Sequence, residues 1–174
     1  IVLHGLTGCA NAPQVTSLGA KAVAAGLDLL RVDLRNASGA TPSQHIGHAG
    51  RSEDLRAVLE HVADAQPGVP VGVIGYSLGG NITLKALGEY GTELPASLAA
   101  AAVVSVPIDL DASCSAIDRF DNRIDRHYFV SRLKRTVRAR ARRHPDVYGE
   151  ALDDRLAGIS GIRAFDDRVV APLC

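Results

Sequence analysis

The 174 residues carry 19 basic and 19 acidic side chains and are 47% hydrophobic but only 4% aromatic, with no Met and no Trp. A chain of this size holds one domain with its own core and is too short for two ordinary ones. The charge balance argues against an overall field that would draw nucleic acid or an anionic surface. Cys9, Cys114 and Cys174 are scattered and form no Cys-x-x-Cys pair, which argues against a disulfide framework or a thiolate metal site.

The cysteine usage fits a reducing compartment, so a cytoplasmic location is expected. No apolar run approaches the roughly 20 residues that span a bilayer. The opening Ile1-Val2-Leu3-His4 reads as the middle of a strand, and with Met absent the N-terminus is expected to be a cut.

In chain order, residues 1–4 form a first strand, broken by Gly5-Leu6-Thr7-Gly8. A helix over 15–25 ends at Gly26, and a second strand follows at 29–34. Residues 36–43, rich in Ser, Gly, Thr and Pro, read as a loop. Leu55, Val58, Leu59 and Val62 recur at the i, i+3, i+4, i+7 spacing of one helical stripe. The third strand, 69–75, is short and apolar, as expected of a parallel strand covered on both faces. A helix over 78–90 stops at Gly91, and a fourth strand, 100–106, ends at Pro107. Strict alternation of strand and helix predicts an α/β fold with a parallel sheet and right-handed crossovers. Beyond about residue 109 the strands disappear, and 124–141 is helical and strongly basic. The expected division is a core over 1–109 and a helical cap segment over 110–174.

Gly75-Tyr76-Ser77-Leu78-Gly79 matches G-x-S-x-G, placed after an apolar strand and before a helix. A serine turning that sharply between strand and helix leaves no room for bulk two residues before or after it, and Gly75 and Gly79 supply the space. The turn lifts the Ser77 hydroxyl to the positive end of the following helix, where the Leu78 amide can meet a developing oxyanion. Ser77 is therefore the candidate nucleophile. His4-Gly5-Leu6-Thr7-Gly8 follows the first strand, where Gly5 lets the backbone turn the Leu6 amide toward the same point. His4 itself reads as a support of this turn and not as a proton carrier.

These runs, with Arg35-Asn36-Ala37-Ser38-Gly39, His48-Ala49-Gly50-Arg51-Ser52-Glu53-Asp54-Leu55 and the extension Gly79-Gly80-Asn81, resemble the YheT-like branch of the α/β-hydrolases, bacterial relatives of the eukaryotic ABHD1/ABHD3 group. Val104-Ser105-Val106-Pro107, Asp111-Ala112-Ser113-Cys114 and Arg163-Ala164-Phe165-Asp166-Asp167 continue the likeness over nearly the whole chain. The resemblance implies a carboxylic-ester hydrolase acting on acyl-glycerol or short-chain esters. It also implies that the four strands correspond to strands three to six of that fold, lie side by side between helices on both faces, and precede a helical cap.

In such enzymes the acid and the histidine follow the serine, after the last two strands. Neither strand precedes Cys174, so this chain alone is expected to be nearly inert, an incomplete piece of its fold. His127 and His144 read as surface histidines among arginines. Asp109 and Asp111, close behind the fourth strand, are the alternative acid, though an acid without a histidine does not activate a serine.

Arg132, Lys134, Arg135, Arg138, Arg140, Arg142 and Arg143 form a dense basic run, with Phe129, Leu133 and Val137 at i, i+4 spacing. The pattern fits a solvated cap helix or one lying on anionic lipid or RNA. With a lipid ester as substrate, peripheral membrane contact through residues 129–143, from Phe129 to Arg143, is the secondary expectation. His45, His48, Glu53 and Asp54 lie on no common helix face, so no metal is expected. Without a phosphate-binding glycine loop no nucleotide cofactor is expected, and the balanced charge gives no reason to expect a nucleic-acid partner. The competing reading is a non-catalytic α/β-hydrolase-like module that binds a ligand or partner in the same cleft.

Overall fold

The computed structural model describes residues 1–35, 37, 43–149 and 151–173, so the loop expected over 36–43 falls mostly outside the described residues. The chain divides into two compact units, Ile1–Leu34 with Gly47–Ile108, and Arg35–Ile46 with Asp109–Cys174.

The first unit contains β1 (Val2–Leu3), α1 (Pro13–Ala24), β2 (Arg31–Val32), α2 (Ser52–Ala65), β3 (Val71–Tyr76), α3 (Leu78–Tyr90) and β4 (Leu98–Val104). Every strand pairing is parallel, and the spatial order is β2-β1-β3-β4. The four strands thus lie side by side, as the α/β reading expects. Pro13 suits the first turn of α1 because its fixed φ is already helical and its missing N–H would have no partner there.

The chain steps from β1 to β2 in one direction, then returns past β1 to β3 and on to β4. Right-handed crossovers therefore set α1 on one face and α2 and α3 together on the other. The α2–α3 contact bears this out: Glu89 of α3 accepts hydrogen bonds from Ser52 and Arg56 of α2, the latter at 3.0 Å. Between that helix pair and the sheet lies the core of Leu3, Leu34, Leu55, Leu59, Val71, Val73, Ile82 and Ala86.

β3 and β4 both depart from expectation. On β3 the residues toward α2 and α3, Val71, Val73 and Gly75, are buried, whereas Gly72 is exposed and Ile74 and Tyr76 are partly so. The strand is closed on one face only, since α1 alone serves the other. And β4 is shifted toward the N-terminus, running Leu98–Val104 and stopping at Ser105, whose φ of +53° breaks the extended backbone before Pro107 is reached.

The second unit is helical, with no strand among the described residues. It comprises α4 (Leu110–Asp118), α5 (Arg123–Ala141), α6 (Pro145–Tyr148), α7 (Leu152–Leu156) and α8 (Ile162–Phe165), with 3-10 turns at Phe120–Asn122 and Ala171–Leu173 and a π turn at Asp166–Val170. The Asp118 carboxylate accepts the Ile162 N–H at 2.8 Å and the Arg163 N–H at 3.3 Å, which fixes the start of α8. Arg140 is buried and donates to the carbonyl oxygens of Ser43 and His45, while the Tyr148 hydroxyl donates to that of Gln44 at 3.3 Å. On α5 Val137 is 1% exposed and Val130 is buried, while Phe129 and Leu133 are half-buried.

Candidate active site

Val2 and Leu3 of β1 pair with Ile74 and Gly75 of β3, and Gly75 and Tyr76 pair with Val103 and Val104 of β4. Continued by two residues, this register sets Gly5, Ser77 and Ser105 in one row at the carboxyl end of the sheet. The chain leaves β1 toward β2 and leaves β3 toward β4. Connections that part in opposite directions open a crevice at the strand ends, the usual ligand position in open α/β sheets.

Ser77 stands at that point, partly exposed, with φ +50° and ψ −114°. An L-residue adopts such a backbone only when its surroundings impose it. Here the Ser77 N–H donates to the Val104 carbonyl oxygen at 2.8 Å, and the Ser77 carbonyl oxygen accepts the Asn81 N–H at 3.0 Å. The Asn81 side chain donates to the Pro107 carbonyl oxygen at 3.0 Å and ties α3 to the segment leaving β4.

Steric closure does the rest. A Cβ on Gly75 would lie 2.5 Å from the Gly79 carbonyl oxygen, and one on Gly79 would lie 2.6 Å from that of His4. Gly80, which the motif does not require, is equally closed, with Val106 Cγ2 at 2.5 Å. Gly5 lies directly against the Ser77 side chain. Leu6 and Leu78, both partly buried, each follow a residue of that contact. The first amides of α3 have no carbonyl within the helix to bond, so an anion beside the Ser77 hydroxyl would meet free donors at a positive helix end.

His4 is 3% exposed, and both ring nitrogens face backbone. Nε2 accepts the Leu34 N–H at 3.1 Å, so Nδ1 carries the proton and donates to the Gly5 carbonyl oxygen at 2.8 Å. Burial holds the imidazole below its ordinary pKa, against the weaker upward pull of the Gly5 hydrogen bond and the Asp33 charge. A neutral ring bonded in this way fixes the turn after β1.

The alternative acids are engaged within the second unit. Asp109 Oδ1 accepts the Ala112 N–H at 2.9 Å and caps α4, and Asp111 pairs with Arg163 at 2.5 Å. His127 Nε2 lies 3.4 Å from Ser131 Oγ on the same helix. His144 stands at the turn between α5 and α6.

Two further residues escape sequence reasoning. Among the described residues, the only non-glycines with positive φ are Thr7, in the turn after β1, and Ser77 and Ser105, each the first residue after its strand. The glycines around Thr7 hint at a tight turn. Nothing in Val104-Ser105-Val106 signals left-handed backbone, and only its register with Ser77 identifies it.

The profile of the alpha/beta hydrolase fold family matches residues 1–151. Over 172 residues, 98% of this chain, it is 30% identical to "Putative esterase YheT" of Escherichia coli (strain K12), covering 50% of that protein. It is 32% identical over 121 residues to phospholipase ABHD3 of Mus musculus, and 29% identical over 118 residues to the Homo sapiens protein of that name. Those two matches take in 69% and 67% of this chain and 28% of each relative. The chain thus spans half or less of the length of these relatives. No solved structure matches it significantly. With the sheet order, the strained serine between β3 and α3 and the profile match in agreement, the chain belongs to the alpha/beta hydrolase fold family.

Proposed function

We propose that this chain carries the nucleophile and the oxyanion-binding half of a serine-dependent carboxylic-ester hydrolase. Ser77 Oγ attacks the ester carbonyl carbon while a base takes its proton. The carbonyl oxygen, now negative, is received by the N–H groups of Leu6 and Leu78. Collapse expels the alcohol with a proton and leaves an acyl-Ser77 ester, which water hydrolyses to the acid. The observation that carries this reading is the Ser77 backbone at φ +50° between β3 and α3, with Gly5 against its side chain.

The acid and the histidine are supplied from outside residues 1–174. The order serine, acid, histidine supports this, as do the engaged His4, Asp109 and Asp111. The helical second unit is read as the cap segment of such a hydrolase. Esters of acyl lipids or of short acids are the substrate class, a reading supported by the esterase and phospholipase names of the relatives.

A fluorophosphonate probe tests this on the protein extended to its relatives' length. Labelling at Ser77 that disappears in Ser77→Ala is expected. No labelling of a folded protein would favour a non-catalytic module that binds in the same crevice. The 174-residue chain alone is expected to retain only about 10³–10⁴-fold over water, the share that survives loss of a triad.

A further inference from the structure

Nine of the 19 Lys and Arg residues fall between 123 and 143, with Asp125 the one acid among them. A chain without net charge therefore concentrates its positive charge on one helix. The fold sorts these charges. Arg140 is turned inward to backbone carbonyls, Arg126 donates to the Asp118 carbonyl oxygen, and Arg138 pairs with Asp153 at 2.9 Å. Ser131, Lys134, Arg135, Arg138 and Arg142 line a single groove along α5. Steps of three and four residues put them on one helical face.

The same face continues toward the N-terminus through Tyr128 and Ile124, and the turn before α5 presents Phe120. Phe120 is 73% exposed, Ile124 76% and Tyr128 49%. The guanidinium groups of Arg123 and Arg132 lie over the rings of Phe120 and Tyr128 at 4.9 and 4.7 Å. The opposite stripe, Val130 and Val137, is buried, so this face points outward.

Exposed apolar side chains at one end of a helix face and cations along the rest match the two layers of a bilayer surface, acyl boundary and phosphate. We infer that this face docks the protein on an anionic lipid bilayer. Phe120, Ile124 and Tyr128 enter the headgroup boundary, and Lys134, Arg135 and Arg142 meet lipid phosphates. The contact differs from the one expected from the sequence, because on the Phe129-Leu133-Val137 stripe Val137 is buried and Phe129 and Leu133 are half-buried. Single-stranded RNA would use the cations and the rings but gains nothing from Ile124. The inference rests on α5 and its preceding turn, and stands whatever the role of Ser77.

The test is co-sedimentation of the Ser77→Ala chain with vesicles of equimolar phosphatidylcholine and phosphatidylserine, or of phosphatidylcholine alone. Binding to the mixed vesicles only is expected. Each cation removed should weaken it about fivefold, so Lys134→Glu with Arg135→Glu and Arg142→Glu loses about a hundredfold or more. Ile124→Ser should weaken it about tenfold, and Lys21→Glu on α1 should leave it unchanged. If circular dichroism shows the triple variant unfolded, high salt on the parent chain makes the same distinction, since it screens exposed charge. Equal partition onto both vesicle types, or none by a folded chain, overturns the inference. So does vesicle binding indifferent to Ile124→Ser together with tight retention of single-stranded RNA, which would make the face a nucleic-acid surface.

Discussion

A β-carbon placed on Gly5 would stand 3.1 Å from Ser77 Cβ and 3.6 Å from Ser77 Oγ, so the absence of a side chain at one position sets the room for the hydroxyl at the other. Such a contact is tight but can be relieved by a few tenths of an ångström. Gly5→Ala is expected to fold, with the serine side chain displaced. In the extended protein its fluorophosphonate labelling rate should fall about 10–100-fold, the scale of a small misplacement at a reacting atom. Intact-mass time courses read this. Unchanged labelling would show that Gly5 does not position the hydroxyl.

Gly79→Ala has no such relief, because the atoms it meets are the His4 carbonyl oxygen at 2.6 Å and Leu3 Cβ at 2.8 Å. Urea unfolding should show a loss of about 3 kcal/mol. Gly88 lies on the same helix with nothing within 4 Å of its added Cβ. Gly88→Ala should therefore gain up to about 1 kcal/mol through helix propensity. Similar losses at both positions would refute the steric account.

His4 makes stability depend on pH. Its folded-state pKa lies below the ordinary 6.5, so below that value the unfolded chain binds the proton first. The contribution is complete above 6.5 and is lost as pH falls through the lowered value. Urea midpoints measured downward from pH 7.5 should decline below about 6.5. His4→Gln should be less stable throughout and should lack that decline. An equal slope in both proteins would place the titration elsewhere.

The reach of the sequence differs from element to element. α3 is legible to the residue because both its ends are chemical, a strained serine before Leu78 and Gly91 at φ +56° after Tyr90. The second strand shrinks from 29–34 to Arg31–Val32, since an edge strand with one partner is held only where that partner, itself two residues long, can reach. Arg140 reads as surface charge, yet its guanidinium serves carbonyls of Ser43 and His45, almost a hundred positions away. No local pattern announces such a partner. The G-x-S-x-G glycines are legible as space, whereas Ser105 becomes visible only through the pairing of β4 with β3.

β4 is paired on one side only among the described residues, and most of its side chains, Ala99 to Ala102 among them, are exposed. An apolar edge of this kind recruits other chains. Sedimentation velocity on the 174-residue chain should show concentration-dependent association, reduced by Ala101→Lys. A monomer at every concentration would mean that the edge is otherwise protected.

Gly5 and Ser77 are 72 positions apart in the chain, and two strands and two helices intervene. Their meeting requires a long loop to close, an entropic cost that local helix formation cannot offset. During refolding, α3 can coil early while its serine still has no neighbour across the sheet. Reactivity at position 77 would then appear only after β1 has docked beside β3, so the probe that tests the chemistry also sets a latest time for that long-range step of assembly.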